Sequence, residues 1–144
     1  PDEEHLLVGV FAALFVSWIV GDLFLQRVQV LRHPKRYFYF VFWYVPVLIW
    51  EMIKANLNVA YRVAHPMLPI NPGIVKVKTV LKTDMGLTFL ANSITLTPGT
   101  MTVDIDKTNG ILYIHWLDVK SRDAEQATKM IVDRFEKIFI KVFE

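Results

Sequence analysis

The chain has 144 residues, 53% of them apolar, a formal charge of +2 and no cysteine, and its mean hydropathy is +0.35. That length holds one modest domain or a membrane hairpin with a small domain, and the apolar share exceeds the roughly 45–50% of ordinary soluble globules. Without cysteine there are no disulfides, zinc–thiolate centres or iron–sulfur ligands, and a small charge with no aromatic-interleaved basic stripe excludes nucleic acid as a partner.

Polarity is segregated along the chain. Between Leu6 and Leu25 the only ionisable residue is Asp22. As a helix, LLVGVFAALFVSWIVGDLFL covers about 30 Å, the thickness of a bilayer's hydrocarbon core. Apolar side chains surround that helix, and Asp2, Glu3 and Glu4 stand where a signal peptide would be basic. The segment is expected to span a membrane. Asp22, near its end, is placed to reach the interface or to pair with Arg27; the functional alternative is a proton-relay carboxylate.

Arg27, Arg32, Lys35 and Arg36 follow with no acid among them. A short basic loop beside a membrane segment tends to stay cytoplasmic; contact with phospholipid head groups is a second use for the same charges.

The next segment, Tyr37 to Trp50, is strongly apolar over 14 residues and contains Pro46. That length suits a spanning helix or a re-entrant or interfacial one. Tyr37, Tyr39, Trp43 and Tyr44 form an aromatic belt fit for a membrane–water boundary. Beyond it Glu51, Lys54, Asn56, Asn58 and Arg62 make the helix polar, with Glu51 and Lys54 placed to pair at i,i+3. A full crossing would set the basic loop and the C-terminal lysines Lys76, Lys78 and Lys82 on opposite sides. An interfacial helix keeps both on the cytoplasmic face, which the positive-inside rule favours.

Three prolines and a glycine between His65 and Gly73 mark a linker. IVKVKTVLK alternates as a half-buried strand. DMGLTFLANSITL carries Leu87, Leu90, Ala91 and Ile94 at helical spacing behind Asp84 as N-cap. Pro98-Gly99 makes a turn into a strand in which Thr100, Thr102 and Asp104 alternate with Met101, Val103 and Ile105. Asn109-Gly110 signals a hairpin, and ILYIHWLDV returns from it. An amphipathic helix capped by Ser121 closes the chain, with Ala124, Ala127, Ile131, Phe135, Ile138 and Val142 on its apolar face. The fold class is therefore a membrane protein: apolar helices over 1–64, a linker over 65–73, and a small α+β domain of order β-α-β-β-α over 74–144.

The stretch LANSITLTPGTMTVDI, rich in hydroxyls, raises the possibility of an enzyme. Its cast would be Ser93, His115 and Asp84 or Asp118. Ser93 sits on a helix without the Gly-x-Ser-x-Gly elbow that exposes a nucleophile. His115 and Asp118 are three apart, so in a strand they face opposite ways. His5, His33, His65 and His115 lack metal-ligand spacing, and no phosphate loop or dinucleotide fingerprint occurs. No catalytic residue, cofactor or metal is expected. Thr95 and Thr97 instead can bond backward to carbonyls at a helix end, Pro98 stops the helix and Gly99 turns it.

The blocks Asn71-Pro-Gly-Ile, NSITLTPGT and LYIHWLD, with EMIKANLNVAYRV before them, closely resemble the E-type subunit of the Mrp/Mnh-type multisubunit cation/proton antiporters. The resemblance covers most of the chain. It implies an accessory, non-catalytic subunit of a plasma-membrane assembly, multi-pass, its soluble domain cytoplasmic, its partners the other antiporter subunits and membrane lipids. The same module occurs in archaeal membrane-bound hydrogenases and sulfane sulfur reductases, so hydrogenase-like redox subunits are further implied partners. Family members carry another apolar helix upstream of the position where this chain starts, at Pro1 with no initiator Met; by the resemblance that first membrane segment is lacking here. Ion movement in the family belongs to large subunits with buried lysines and carboxylates, whereas Asp22, Glu51 and Lys54 lie near segment ends. The expected role is assembly, with Asn92, Ser93, Thr95, Thr97, Pro98, Gly99 and Thr100 as the contact corner. The competing reading is a stand-alone membrane-anchored binding or regulatory module.

Overall fold

The computed structural model describes residues 3–25 and 34–144, with side chains for 6–19, 35, 36 and 38–144. Arg27, Arg32, the Asp22 side chain and its expected pairing lie outside the described residues.

Helix α1, Glu3–Leu25, has 23 residues, a length of about 34 Å. Every side chain from Leu6 to Ile19 is exposed, so nothing in the described chain covers its apolar surface. A second helical stretch runs without interruption through α2 (Pro34–Tyr39), a π-helical segment (Phe40–Tyr44) and α3 (Val45–Ala64). Its wide turn has a local cause. Pro46 lacks an N–H, and its ring would clash with the carbonyl four residues back. A π segment immediately ahead relieves that clash and lets the helix continue.

Three antiparallel strands follow: β1 (Gly73–Lys78), β2 (Thr100–Asp106) and β3 (Ile111–Trp116), in the spatial order β1-β3-β2. Helix α4 (Asp84–Leu96) links β1 to β2, while α5 (Ala124–Ile131) and α6 (Asp133–Phe143) follow β3. The helices cover one sheet face: α5 packs on β1, α4 on β2, and α6 on α4. Val77, Leu112 and Ile114 from the sheet meet Leu90 and Ile94 of α4 and Phe139 of α6 in a fully enclosed core. Burying side chains of this size contributes about 1.5–3 kcal/mol each before ordering costs. Tyr44, from the helix ahead of the linker, is also part of this core. Contacts thus run across the 64/65 division.

Four local readings are corrected. The α4 cap is Thr83, whose Oγ1 accepts from the Gly86 N–H at 3.2 Å; a hydroxyl one residue earlier reaches that donor, leaving Asp84 to pair with Lys107 at 2.5 Å. For α5 the cap is Asp123, which accepts from the Gln126 N–H, while Ser121 accepts from the Asp123 N–H. The closing helix breaks at Val132, because α5 follows β1 whereas α6 follows α4. The alternation expected along β2 fails at a bulge. Thr102 pairs with buried Ile114, Val103 is skipped, and Asp104 pairs with Tyr113; an extra residue in one strand reverses the parity beyond it. Thr102 and Asp104 therefore lie on opposite faces, and Ile105 joins the side of Leu112.

Candidate functional site

The corner between α4 and β2 is built by hydroxyls. Thr97 Oγ1 donates to the Ser93 carbonyl at 2.8 Å, and Thr100 Oγ1 donates to the Ile94 carbonyl at 2.7 Å. These satisfy the orphan carbonyls at a helix C-terminus. Thr102 Oγ1 reaches the Ala91 carbonyl at 3.2 Å. Thr95 behaves otherwise than expected: its oxygen accepts from the Thr102 N–H, stitching the strand to the helix. Gly99 has φ +94°, a left-handed conformation that a side chain would strain, and its carbonyl accepts from the Leu117 N–H at 2.8 Å.

Helix α3 lies across this corner. A Cβ on Gly99 would stand 3.6 Å from Val59 Cγ2. Arg62 Nη2 donates to Asp118 Oδ2 at 2.6 Å, with both side chains mostly buried. Midway along the helix Glu51 accepts from Lys54 at 2.6 Å through one oxygen and from Arg134 of α6 through the other. The Glu51–Lys54 pair expected from spacing is present; the bond to Arg134 was not legible, since 83 residues separate the two. Toward the helix start Tyr44 Oη lies 2.9 Å from Ser93 Oγ, which also donates to the Phe89 carbonyl at 2.6 Å. Between α3, the corner and the α5–α6 junction a cleft of about 270 Å³ remains, lined by Glu51, Lys54, Arg62, Gly99, Asp118 and Arg134 among others.

The structure thus joins two groups of residues that the sequence placed far apart. Glu51 and Lys54 face the cleft whose other wall includes Thr97, Pro98, Gly99 and Thr100. Ser93 has no exposed surface, which removes it from any outward contact; Asn92 and Thr95 are exposed. The hydrolase cast does not assemble. Ser93 is spent on Tyr44 and Phe89, Asp84 on Lys107 and Asp118 on Arg62, while His115 pairs with Ile74 and Met101 on the sheet. Asn71, which in the sequence stands out only as part of a motif, fastens the linker to the end of β3. Its N–H donates to Leu117, its side chain to the Val119 carbonyl, and its own carbonyl accepts from the Val119 N–H.

A family model described as Na+/H+ ion antiporter subunit matches residues 3–142. The chain belongs to this family. The E-type subunit of a Na(+)/H(+) antiporter of Alkalihalophilus pseudofirmus is 34% identical over 136 residues, 94% of this chain and 82% of that relative. Among solved structures, a chain of the membrane-bound sulfane sulfur reductase, an archaeal respiratory membrane complex, is similar at 45% identity and TM-score 0.79, covering 99% of this chain and 87% of that one. A chain of the Mrp complex from Dietzia sp. DQ12-45-1b is similar at 22% identity and TM-score 0.50, over 72% of this chain and 96% of that one; at this identity the likeness is one of fold. The resemblance to the E-type antiporter subunits carried by NPGI, NSITLTPGT and LYIHWLD is borne out.

Proposed function

We propose that this antiporter-family subunit acts as a non-catalytic assembly element of an Mrp-type cation/proton antiporter module, with the other subunits as its partners. The observation that carries this reading is the family match over nearly the whole chain, joined to a cleft in which Glu51, Lys54, Arg62, Asp118 and Arg134 are engaged with one another in ion pairs. Glu51 holds Lys54 and Arg134, and Asp118 holds Arg62. The Glu51–Arg134 and Arg62–Asp118 pairs fasten α3 to the α+β unit.

In this reading α1 crosses the bilayer, and the α+β unit sits on the cytoplasmic side, as the basic residues before α2 favour. The corner at Thr97–Thr100 locks α3 against the unit, and exposed Asn92 and Thr95 beside it meet a neighbouring subunit. The likeness to a chain of a sulfane sulfur reductase complex supports a setting in which such a module is joined to redox subunits.

The test is gentle detergent extraction through a tag on this subunit, followed by identification of the co-purifying proteins. Antiporter-type membrane subunits are expected, with or without iron–sulfur subunits. Purification of the chain alone would overturn the assembly role and restore the anchored-module reading.

A further inference from the structure

The continuous helix from Pro34 to Ala64 has two unlike faces. Its inner face is fastened to the α+β unit at points spaced along its length, with the cleft lying between α3 and that unit. Arg36 donates to the Val142 carbonyl at one end; Phe40 packs edge-on to Phe89, and Tyr44 reaches Ser93. Glu51 meets Arg134 in the middle, and Arg62 meets Asp118 at the far end. From Arg36 to Arg62 the helix extends about 39 Å at 1.5 Å per residue.

The opposite face is covered by nothing in the described chain. Phe42, Ile49, Ile53, Leu57 and Tyr61 are all exposed, and their spacing of seven, four, four and four residues aligns them along one side of the helix. Trp43 and Trp50 flank the row and are exposed too.

By length and composition Phe40–Ala64 is apolar enough to cross a membrane. The inner-face contacts argue against that placement. A fastened stretch of about 39 Å exceeds the roughly 30 Å of hydrocarbon, so a crossing would carry the attached unit, with Arg134, Asp118 and Lys120, into the lipid. Ionised side chains there cost several kcal/mol each even on lenient scales. A helix lying flat exposes only its outer row to lipid and leaves the attached unit in water.

We propose that α2–α3 lies in the plane of the membrane surface, its outer row seated at the boundary between lipid head groups and acyl chains. Three features select lipid as the occupant. The row mixes aliphatic residues with Trp and Tyr, the composition of interfacial belts. Exposed Lys35 at one end supplies a cation of the kind that anionic head groups attract. The preceding helix, α1, exposes apolar side chains on all sides, so lipid contact is continuous across both. The proposal rests on the membrane placement of α1 given above, and it sets both ends of α2–α3 and the α+β unit on one side of the membrane.

Because the chain has no cysteine, single reporters can be introduced without removing any. Lys35→Cys, Met67→Cys and Glu125→Cys, each in the assembled complex, would be treated with a membrane-impermeant maleimide in sealed right-side-out and inverted vesicles, and labelling read on this subunit. All three are expected to react from the same side. Reaction of Lys35→Cys and Met67→Cys from opposite sides would overturn the in-plane placement. A fluorophore on Ile53→Cys then reports the occupant in vesicles containing nitroxide lipids. Quenching by a nitroxide near the head group, at least twofold stronger than by one at the chain end, is expected. Stronger deep quenching would indicate a crossing, and no quenching by either probe would mean that protein covers the row; both overturn the proposal. Co-purification of the neighbouring subunits with each variant separates these outcomes from a failure of the assembly reading.

Discussion

Tyr44 Oη lies 2.9 Å from Ser93 Oγ, a bond that joins the helix ahead of the linker to the helix at the centre of the α+β unit. The Tyr44 ring also sits 5.1 Å from Phe139 and edge-on to Phe89 at 6.4 Å. Ring and hydroxyl contribute unequally. In Tyr44→Phe the ring contacts survive and Ser93 still donates to the Phe89 carbonyl, so the loss should be about 1 kcal/mol. Tyr44→Ala empties the space of a ring and should cost about 3–5 kcal/mol. Thermal denaturation of the detergent-solubilised chain, followed by circular dichroism, separates the two. Equal losses would show that the ring is not part of the core.

Gly99 poses a different constraint, since its φ of +94° excludes most side chains on backbone grounds. Gly99→Ala should cost at least about 1 kcal/mol through that strain. Gly99→Val should cost more, because its branches would also press on Val59, already 3.6 Å from a bare Cβ. The consequence for function is loss of the α3–corner contact, so the amount of neighbouring subunit recovered with the tagged variant should fall in the order Gly, Ala, Val. Full recovery with Gly99→Val would detach the corner from assembly.

How much of this was legible in the sequence depends on the range of the interaction. Period-two and helical spacings located β1 and α4, because a half-buried strand and a half-buried helix each write their geometry into neighbouring residues. The Pro98-Gly99 turn was readable for the same reason. The bulge at Val103 was not, since the alternation around it is unbroken and only pairing with β3 reveals the skipped residue. Nor did the one apolar face running through Ala124 to Val142 disclose the break at Val132, which follows from packing on two different elements. The largest gap concerns α3. Glu51, Lys54 and Arg62 looked like a polar helix end near a membrane, whereas two of the three hold groups more than fifty residues away. No local pattern encodes a partner at that distance.

Glu51 joins two cations, so its removal leaves both without their acid. Its side chain is only 12% exposed, against 39% for Arg134, and a half-buried pair is worth more than a surface one. Glu51→Gln should lower stability by roughly 1 kcal/mol, and Arg134→Gln by a similar or smaller amount, since Lys54 still answers the carboxylate. The double variant should lose less than the sum of the singles, by the coupling energy of the pair. Strict additivity in thermal denaturation would mean that the bridge contributes nothing to holding α3.

The last prediction concerns acid. Glu144 accepts from the backbone N–H groups of Lys82 at 2.9 Å and Thr83 at 3.1 Å, tying the end of α6 to the start of α4. The Lys82 N–H bond is the main reason that its carboxyl is held below its ordinary value of 4.5, outweighing the opposing effect of partial desolvation. A carboxyl held low in the fold binds its proton more readily when unfolded. Its stabilising contribution is therefore present above pH 4.5 and is lost as the pH falls through the depressed folded value. Asp106, lowered chiefly by the Asn109 side chain, acts with the same sign. Glu144→Gln removes one of these two contributions and leaves the other. The variant's melting temperature should fall less steeply than the parent's between about pH 5 and pH 3. Because Glu144 is largely open to solvent, the difference should be on the order of one degree. Parallel curves for variant and parent would show that this carboxylate does not couple the two helices.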